Sequence, residues 1–153
     1  MLPMAHIASA LVVNRVAGLD TGMAPAVAGA LLPDAIDKTL AWVLGVVPAA
    51  RHGGHTPVAV AAFGLAGSVV IGRRWGAAFA SAYATHLVGD LWQHGHVPWL
   101  MPFKRYHVRG ERWSVGFDRP TLLLEAIGLA TIVVLARQPA SRGEPDTRAA
   151  LSG

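Results

Sequence analysis

Residues 76–95 read GAAFASAYATHLVGDLWQHG, an apolar stretch in which His86, Asp90 and His94 recur at intervals of four residues. Side chains at this spacing stack on one face of a helix, so the stretch predicts an apolar helix with one polar stripe. An aspartate inside a membrane helix costs roughly 2.5 to 3.5 kcal/mol on insertion scales, so we expect Asp90 to have a partner. That partner is a metal ion or, as the alternative, an arginine or a helix cap.

The whole chain is more apolar than an ordinary soluble domain. Of its 153 residues, 53% are hydrophobic and only 14% are charged, and the mean hydropathy is +0.42. Such a composition makes the bilayer the natural solvent. The length allows one domain with about four or five bilayer-length helices. We therefore predict an all-α fold, an integral-membrane helical bundle of about four to five helices.

Five apolar segments, separated by Gly, Pro or charged residues, predict the individual helices. They are residues 4–19, 24–47, 57–72, 76–95 and 120–136. Between the last two, residues 97–120 combine basic and aromatic side chains, which is typical of a loop at a membrane surface. Behind a single membrane-embedded domain of residues 1–137, residues 138–153 lack an apolar run, so we expect a disordered tail.

The net charge of +4 raises the question of nucleic acid. The basic residues fall between the apolar segments, however, and form no stripe with interleaved aromatic residues. Anchoring at lipid headgroups explains them better. We therefore expect membrane lipids as partners and no nucleic acid, and the sequence leaves the oligomeric state open.

A second polar cluster is Arg51-His52-Gly53-Gly54-His55-Thr56, directly before Pro57. The glycine pair breaks the chain, Pro57 favours a helix start, and Thr56 is placed to cap that helix. His52 and His55 then lie at the mouth of the third segment, where a neutral imidazole can reach a buried ion. The alternative is that they are exposed loop histidines.

A third cluster, Pro33-Asp34-Ala35-Ile36-Asp37, follows an apolar run. If a helix begins at Pro33, Asp34 and Asp37 share one of its faces. The alternative is that both carboxylates cap the N-terminal end of that helix, where its dipole favours negative charge. His6, early in the first segment, is either a further ligand or a buried histidine with ordinary hydrogen bonds.

Taken together, the polar residues in or beside apolar segments form a ligand set for a metal. Cysteine is absent, so any metal must be held by His, Asp or Glu. The set comprises His6, Asp34, His55, His86 and Asp90. Three imidazoles and two carboxylates suit Zn²⁺ or Mn²⁺ and leave positions for water, which a divalent ion makes nucleophilic near neutral pH.

In order and spacing, these motifs resemble the YdjM-like family of membrane-bound, metal-dependent hydrolases over residues 4–103. The resemblance implies a bacterial inner-membrane helical protein, distantly similar to zinc-dependent phospholipase C and P1-type nucleases, with the five-residue ligand set given above. Asp37 stands one residue beyond the family's second carboxylate position. The phospholipases use a further His-x-x-x-Glu pair, and His107 and Glu111 have this spacing, but we interpret that match as coincidental because both lie in the basic loop.

The first functional hypothesis is hydrolysis of a phosphoester, such as a lipid headgroup, at one or two zinc ions. Asp37, His52 and His94 are candidates for the general base, and Asp37 and His52 are the catalytic residues that we name. Arg51 or the loop cations would bind the anionic substrate. The alternatives are a membrane transporter or ion-handling protein, and a non-catalytic membrane protein, each with the same His/Asp residues.

Overall fold

The chain folds into a bundle of helices. The structure, a computed structural model, describes residues 3–19, 21–94, 97–104, 106 and 118–138, except the side chains of residues 93 and 94. These residues form five α-helices and no strand: α1 (Pro3–Val16), α2 (Met23–Lys38), α3 (Pro57–Val70), α4 (Arg73–His94) and α5 (Arg119–Arg137). The predicted all-α fold is confirmed, and each predicted apolar segment overlaps one helix.

The centre of the bundle is α4, which packs against α1, α2 and α3, whereas α5 packs against α1. Short side chains make the contact between α2 and α4 close. A Cβ at Gly29 of α2 would collide with the carbonyl oxygen of Phe79 and would lie 2.8 Å from the Cβ of Ala82. The small residues of α4 thus bring the polar side chains of the neighbouring helices towards His86 and Asp90.

The second helix begins at Met23, next to the start of the predicted segment 24–47, and not at Pro33. Pro33 lies inside α2, which runs to Lys38 and continues as a π-helical turn over Thr39–Val43. The expectation of a helix starting at Pro33, with Asp34 and Asp37 as its N-terminal caps, is therefore wrong. Both carboxylates lie near the C-terminal end of α2, where the helix dipole disfavours negative charge. Their charge must be compensated by other groups.

The loop before α3 turns as the sequence predicted. A 3₁₀ turn, Gly53–His55, leads into Thr56, whose hydroxyl accepts a hydrogen bond from the Ala59 amide at 3.1 Å. Pro57 occupies the first turn of α3, where its missing N–H is not needed. These local preferences fix the point at which the chain enters α3, and so the position of His55.

The outer faces of α3 and α5 are apolar. In the described part of the chain, α5 is the one helix long and apolar enough to cross a bilayer, by length and composition only; α3 is apolar but shorter. Large apolar side chains lie exposed on both: Leu65, Val69, Val70, Leu123, Ile127, Val133 and Val134. With one candidate span among the described residues, the prediction of an integral-membrane bundle stays a prediction.

Several sequence predictions lie outside the described residues. These are the central part of the basic loop, with His107 and Glu111, the side chain of His94, and the tail from residue 139 onwards. The proposed boundary between domain and tail therefore stays a prediction.

Glu125, the acidic residue of α5, ties this helix to the start of α1. Its carboxylate accepts hydrogen bonds from the backbone amides of Met4, at 2.9 Å, and Ala5, at 3.0 Å. The first amides of a helix have no partner within the helix, and a carboxylate suits the positive end of its dipole. Glu125 thus caps α1 from a different helix, immediately before His6.

We expect Glu125→Ala to lower the free energy of unfolding by about 2 kcal/mol, because two charge-assisted hydrogen bonds are lost. Denaturation of the detergent-purified protein would measure this loss, and hydrogen exchange at Met4 and Ala5 should accelerate. Leu123→Ala, at an exposed position on the same helix, is the control and should show neither change. Equal stability of Glu125→Ala and the control would contradict the cap.

Candidate metal centre

Five polar side chains from three helices and one turn meet inside the bundle. His6 comes from α1, Asp34 from α2, His55 from the 3₁₀ turn, and His86 and Asp90 from α4. All are buried except Asp34, which is partly exposed. Ligand atoms lie within 4.8 Å of one another in two groups, His6 with His86 and Asp90, and Asp34 with His55 and His86. The five side chains predicted as ligands therefore converge.

A hydrogen bond at Nδ1, the ring nitrogen that faces away from the cluster, fixes the orientation of His86. Nδ1 lies 2.6 Å from the carbonyl oxygen of Ala30 in α2. Because a carbonyl only accepts, Nδ1 must carry the proton, and in the neutral ring Nε2 then presents a lone pair to the cluster. A backbone or carboxylate partner on the outer nitrogen is the usual arrangement of a metal-binding histidine.

Asp37 fixes His55 in the same way. One carboxylate oxygen accepts the backbone N–H groups of His52, at 2.6 Å, and His55, at 3.1 Å, and the other accepts that of Gly54 at 2.8 Å. Nδ1 of the His55 ring lies 2.8 Å from the same carboxylate. The ionised carboxylate accepts a hydrogen bond from Nδ1–H, so in the neutral ring Nε2 of His55 also points its lone pair into the cluster.

The two inward nitrogens face each other. Nε2 of His55 and Nε2 of His86 are 3.3 Å apart, and Asp90 Oδ2 and Asp34 Oδ1 lie 3.5 and 3.6 Å from Nε2 of His55. Lone pairs and carboxylates this close repel one another unless a positive charge lies among them. Burial lowers the pKa of His55, but hydrogen bonds with Asp34, Asp37 and Asp90 outweigh it and raise the pKa to about 10, so without a metal ion a proton on Nε2 supplies this positive charge. The cluster therefore attracts cations.

His6 closes the cluster on the side of α1. Its ring stacks on that of His86 with centroids 3.9 Å apart, and Nε2 lies 3.4 Å from Asp90 Oδ1. Although the side chain is buried, neither ring nitrogen makes a hydrogen bond with any residue that the structure describes. Buried polar atoms without hydrogen bonds are rare and frequently mark an absent ion or water.

Two cations border the cluster where it is partly open. Arg51 Nε donates to Asp90 Oδ2, and Lys38 Nζ donates to Asp34 Oδ2, each at 2.5 Å. Both cationic side chains are partly exposed, at 22% and 33%. The arginine partner that the sequence offered as an alternative for Asp90 is therefore present, together with the histidines. We call Arg51 and Lys38 the cationic rim.

Some contributors were not predicted from the sequence. The buried Tyr83 hydroxyl donates to the Gly54 carbonyl oxygen at 2.7 Å and so holds the loop that carries His55. Tyr83 precedes His86 by three residues, and this spacing on one helix face was the available signal. Lys38 follows Asp34 by four residues, a spacing that likewise indicates an ion pair. Of His52, the backbone amide contacts Asp37; its role as base stays a prediction.

Comparison with known proteins identifies one family. A family model described as YdjM inner membrane protein matches residues 1–150. No curated protein and no solved structure gave a significant match. The family resemblance drawn from the motifs is therefore confirmed, whereas the distant likeness to phospholipase C and P1-type nucleases stays a prediction.

The loop glycines allow a test of the Asp37 network. A Cβ at Gly54 would lie 3.0 Å from both Asp37 Oδ1 and the Pro33 carbonyl oxygen, whereas a Cβ at Gly53 meets nothing within 4 Å. Because crowding in a packed interior costs about 1 to 3 kcal/mol, Gly54→Ala should lower the melting temperature in detergent and Gly53→Ala should not. Equal melting temperatures of the two variants would show that the loop is not held tightly against Asp37.

Proposed function

The chain belongs to the YdjM inner membrane protein family, and from this membership and its buried His/Asp cluster we propose a membrane-bound, metal-dependent hydrolase. Its substrates are phosphoesters, in particular lipid headgroups. The distance that carries the proposal is the 3.3 Å between the Nε2 atoms of His55 and His86. Both outer nitrogens are bonded to acceptors, so a divalent cation is the partner that best satisfies both inward lone pairs at once.

The donor set fits a borderline metal. His6, His55 and His86 offer three imidazole nitrogens, and Asp34 and Asp90 offer carboxylate oxygens, which is a set suited to zinc or manganese as one ion or a close pair. The lack of a hydrogen bond at the buried His6 ring supports its use as a ligand. When bound, such an ion lowers the pKa of a coordinated water and offsets negative charge on a phosphoester.

The surrounding residues have separate tasks in this proposal. Asp37 is a positioning residue, because its oxygens already accept three backbone amides and the His55 ring. Arg51 and Lys38, the cationic rim, attract and orient an anionic phosphoester. His52 is half-buried on the same loop, and we assign it the task of accepting a proton.

Membrane insertion is a further part of the proposal. The family name, the candidate span of α5 and the exposed apolar side chains of α3 and α5 support an integral protein of the inner membrane. The partly exposed rim then gives access to a substrate at the membrane surface.

One observation favours a non-catalytic or ion-handling role instead. Arg51 and Lys38 already pair with Asp90 and Asp34. If these ion pairs alone neutralise the carboxylates, no metal is needed. Metal content separates the two possibilities.

We expect the detergent-purified wild type, dialysed against metal-free buffer, to retain about one or two equivalents of zinc or manganese. His86→Ala and Asp90→Ala should lower the affinity by more than about tenfold, since losing even an outer partner of a ligand has that effect. Elemental analysis by mass spectrometry measures both. His52→Ala, a histidine outside the two ligand groups, is the control and should keep its metal.

Wild type that is metal-free after growth in metal-replete medium would end the metal proposal. Hydrolysis of bis(4-nitrophenyl) phosphate, lost in Asp90→Ala, would support the hydrolase. Ion flux into liposomes that needs no bound metal would instead identify an ion-handling protein.

The roles of Asp37 and His52 give opposite expectations. Asp37→Asn should weaken metal binding by about 10- to 100-fold, and excess metal should restore turnover, because the residue acts through His55. His52→Ala should keep the metal but lower kcat by about 10²- to 10⁴-fold, as loss of a general base does. Normal metal affinity with low kcat in Asp37→Asn would make Asp37 the base.

A further inference from the structure

An apolar groove runs along the bundle between α3 and α4. Its volume is about 320 Å³, at the lower end of the roughly 300 to 1,000 Å³ usual for small-molecule sites. Its walls include Pro57, Ala61, Gly64, Leu65, Ala84 and Trp99. It is separate from the cluster of polar side chains, and neither the metal nor the cationic rim accounts for it.

Two residues in the wall of the groove are close in sequence to candidate ligands. Pro57, in its wall, follows His55 by two residues, and Leu87, also in its wall, adjoins His86. At the other end it reaches Ser68, near the end of α3. A molecule with one end at the metal centre and the other in the groove would therefore extend along the length of α3.

The apolar side chains of the walls indicate that the groove binds a hydrocarbon ligand. Among the lining residues, Ser68 carries the one aliphatic hydroxyl, and it already donates to the Gly64 carbonyl oxygen at 2.8 Å. A polar ligand would lose its hydration in this groove without gaining partners. An alkyl chain has no such hydration to lose, and it would complete a surface whose neighbours on α3, Val58 and Val69, are already exposed and apolar.

The positive charge at the partly open side of the metal centre indicates the chemistry of the other end of the ligand. Arg51 and Lys38 are partly exposed and lie on the segments that carry the candidate ligands His55 and Asp34. Cations in this position match an anionic group, and guanidinium pairs well with phosphate. A site with cations at one end and an apolar wall along the rest suits an amphiphilic ligand.

We infer that the groove between α3 and α4 binds an acyl chain of an anionic phospholipid whose phosphate lies at the cationic rim. This inference rests on the proposed function and narrows its substrate class to membrane phospholipids. Specificity then comes from two sites: the rim selects the phosphate, and the groove selects a lipid over a water-soluble phosphoester.

Binding of lipid, measured without turnover, tests the inference. Wild type purified in mild detergent and mixed with equal amounts of dioleoyl phosphatidylglycerol and phosphatidylcholine should retain one phosphatidylglycerol per chain in native mass spectrometry. Ala61→Trp, which fills the groove from an exposed position in its wall, should reduce retention at least tenfold. Ala62→Trp, exposed on the same helix but outside the wall, should retain lipid as wild type does.

Equal retention in Ala61→Trp and Ala62→Trp would overturn the groove as the lipid site, and so would the absence of retained lipid in wild type. Equal retention of the two lipids would overturn the choice of an anionic headgroup. Melting temperature and metal content of each variant verify folding. Wild type that binds metal but no lipid refutes this inference alone, whereas metal-free wild type refutes the proposed function.

Discussion

The fold is organised around two imidazole nitrogens that face each other in a buried space. Each ring of His55 and His86 is turned inward by an acceptor on its outer side, Asp37 in one case and the Ala30 carbonyl in the other. The carboxylates of Asp34 and Asp90, which lie close to Nε2 of His55, further favour a positive charge in this space. An arrangement of this kind costs free energy unless a cation occupies it, because lone pairs and carboxylates are out of water. Packing of the helices against one another does not by itself require such a cluster.

Regular patterns in the sequence were sufficient to predict the helices. Apolar runs bounded by Gly, Pro and charge gave segments that overlap all five, since burial in a bundle and insertion into a bilayer both demand long apolar stretches. The interpretation of Pro33 as a helix start was wrong, because a proline within the first turn of a helix and one within a helix interior look alike in sequence. The helix α2 instead continues through Pro33 to Lys38, and it packs against α4.

The ligand set could also be predicted from the sequence, since an ionisable group in an apolar segment needs a partner wherever it lies in the fold. His6 and Asp90 are 84 positions apart in the sequence, yet they meet. The interactions that orient the ligands were not accessible in this way. Ala30 contributes a backbone carbonyl, Gly54 an amide and Tyr83 a hydroxyl, and such partners depend on tertiary geometry rather than on residue type. Asp37 was recognised as important, but its saturated carboxylate emerged only from the loop that folds around it.

The link between Glu125 and the first turn of α1 has a consequence for biogenesis. The carboxylate and the amide of Met4 are 121 positions apart, so α1 is synthesised long before the residue that caps it. Until α5 is synthesised and docks, α1 lacks this cap, although it can already pack against α2 and α4. A translation product that ends before α5 would therefore carry all five candidate ligands, but the first turn of α1 would lack its cap.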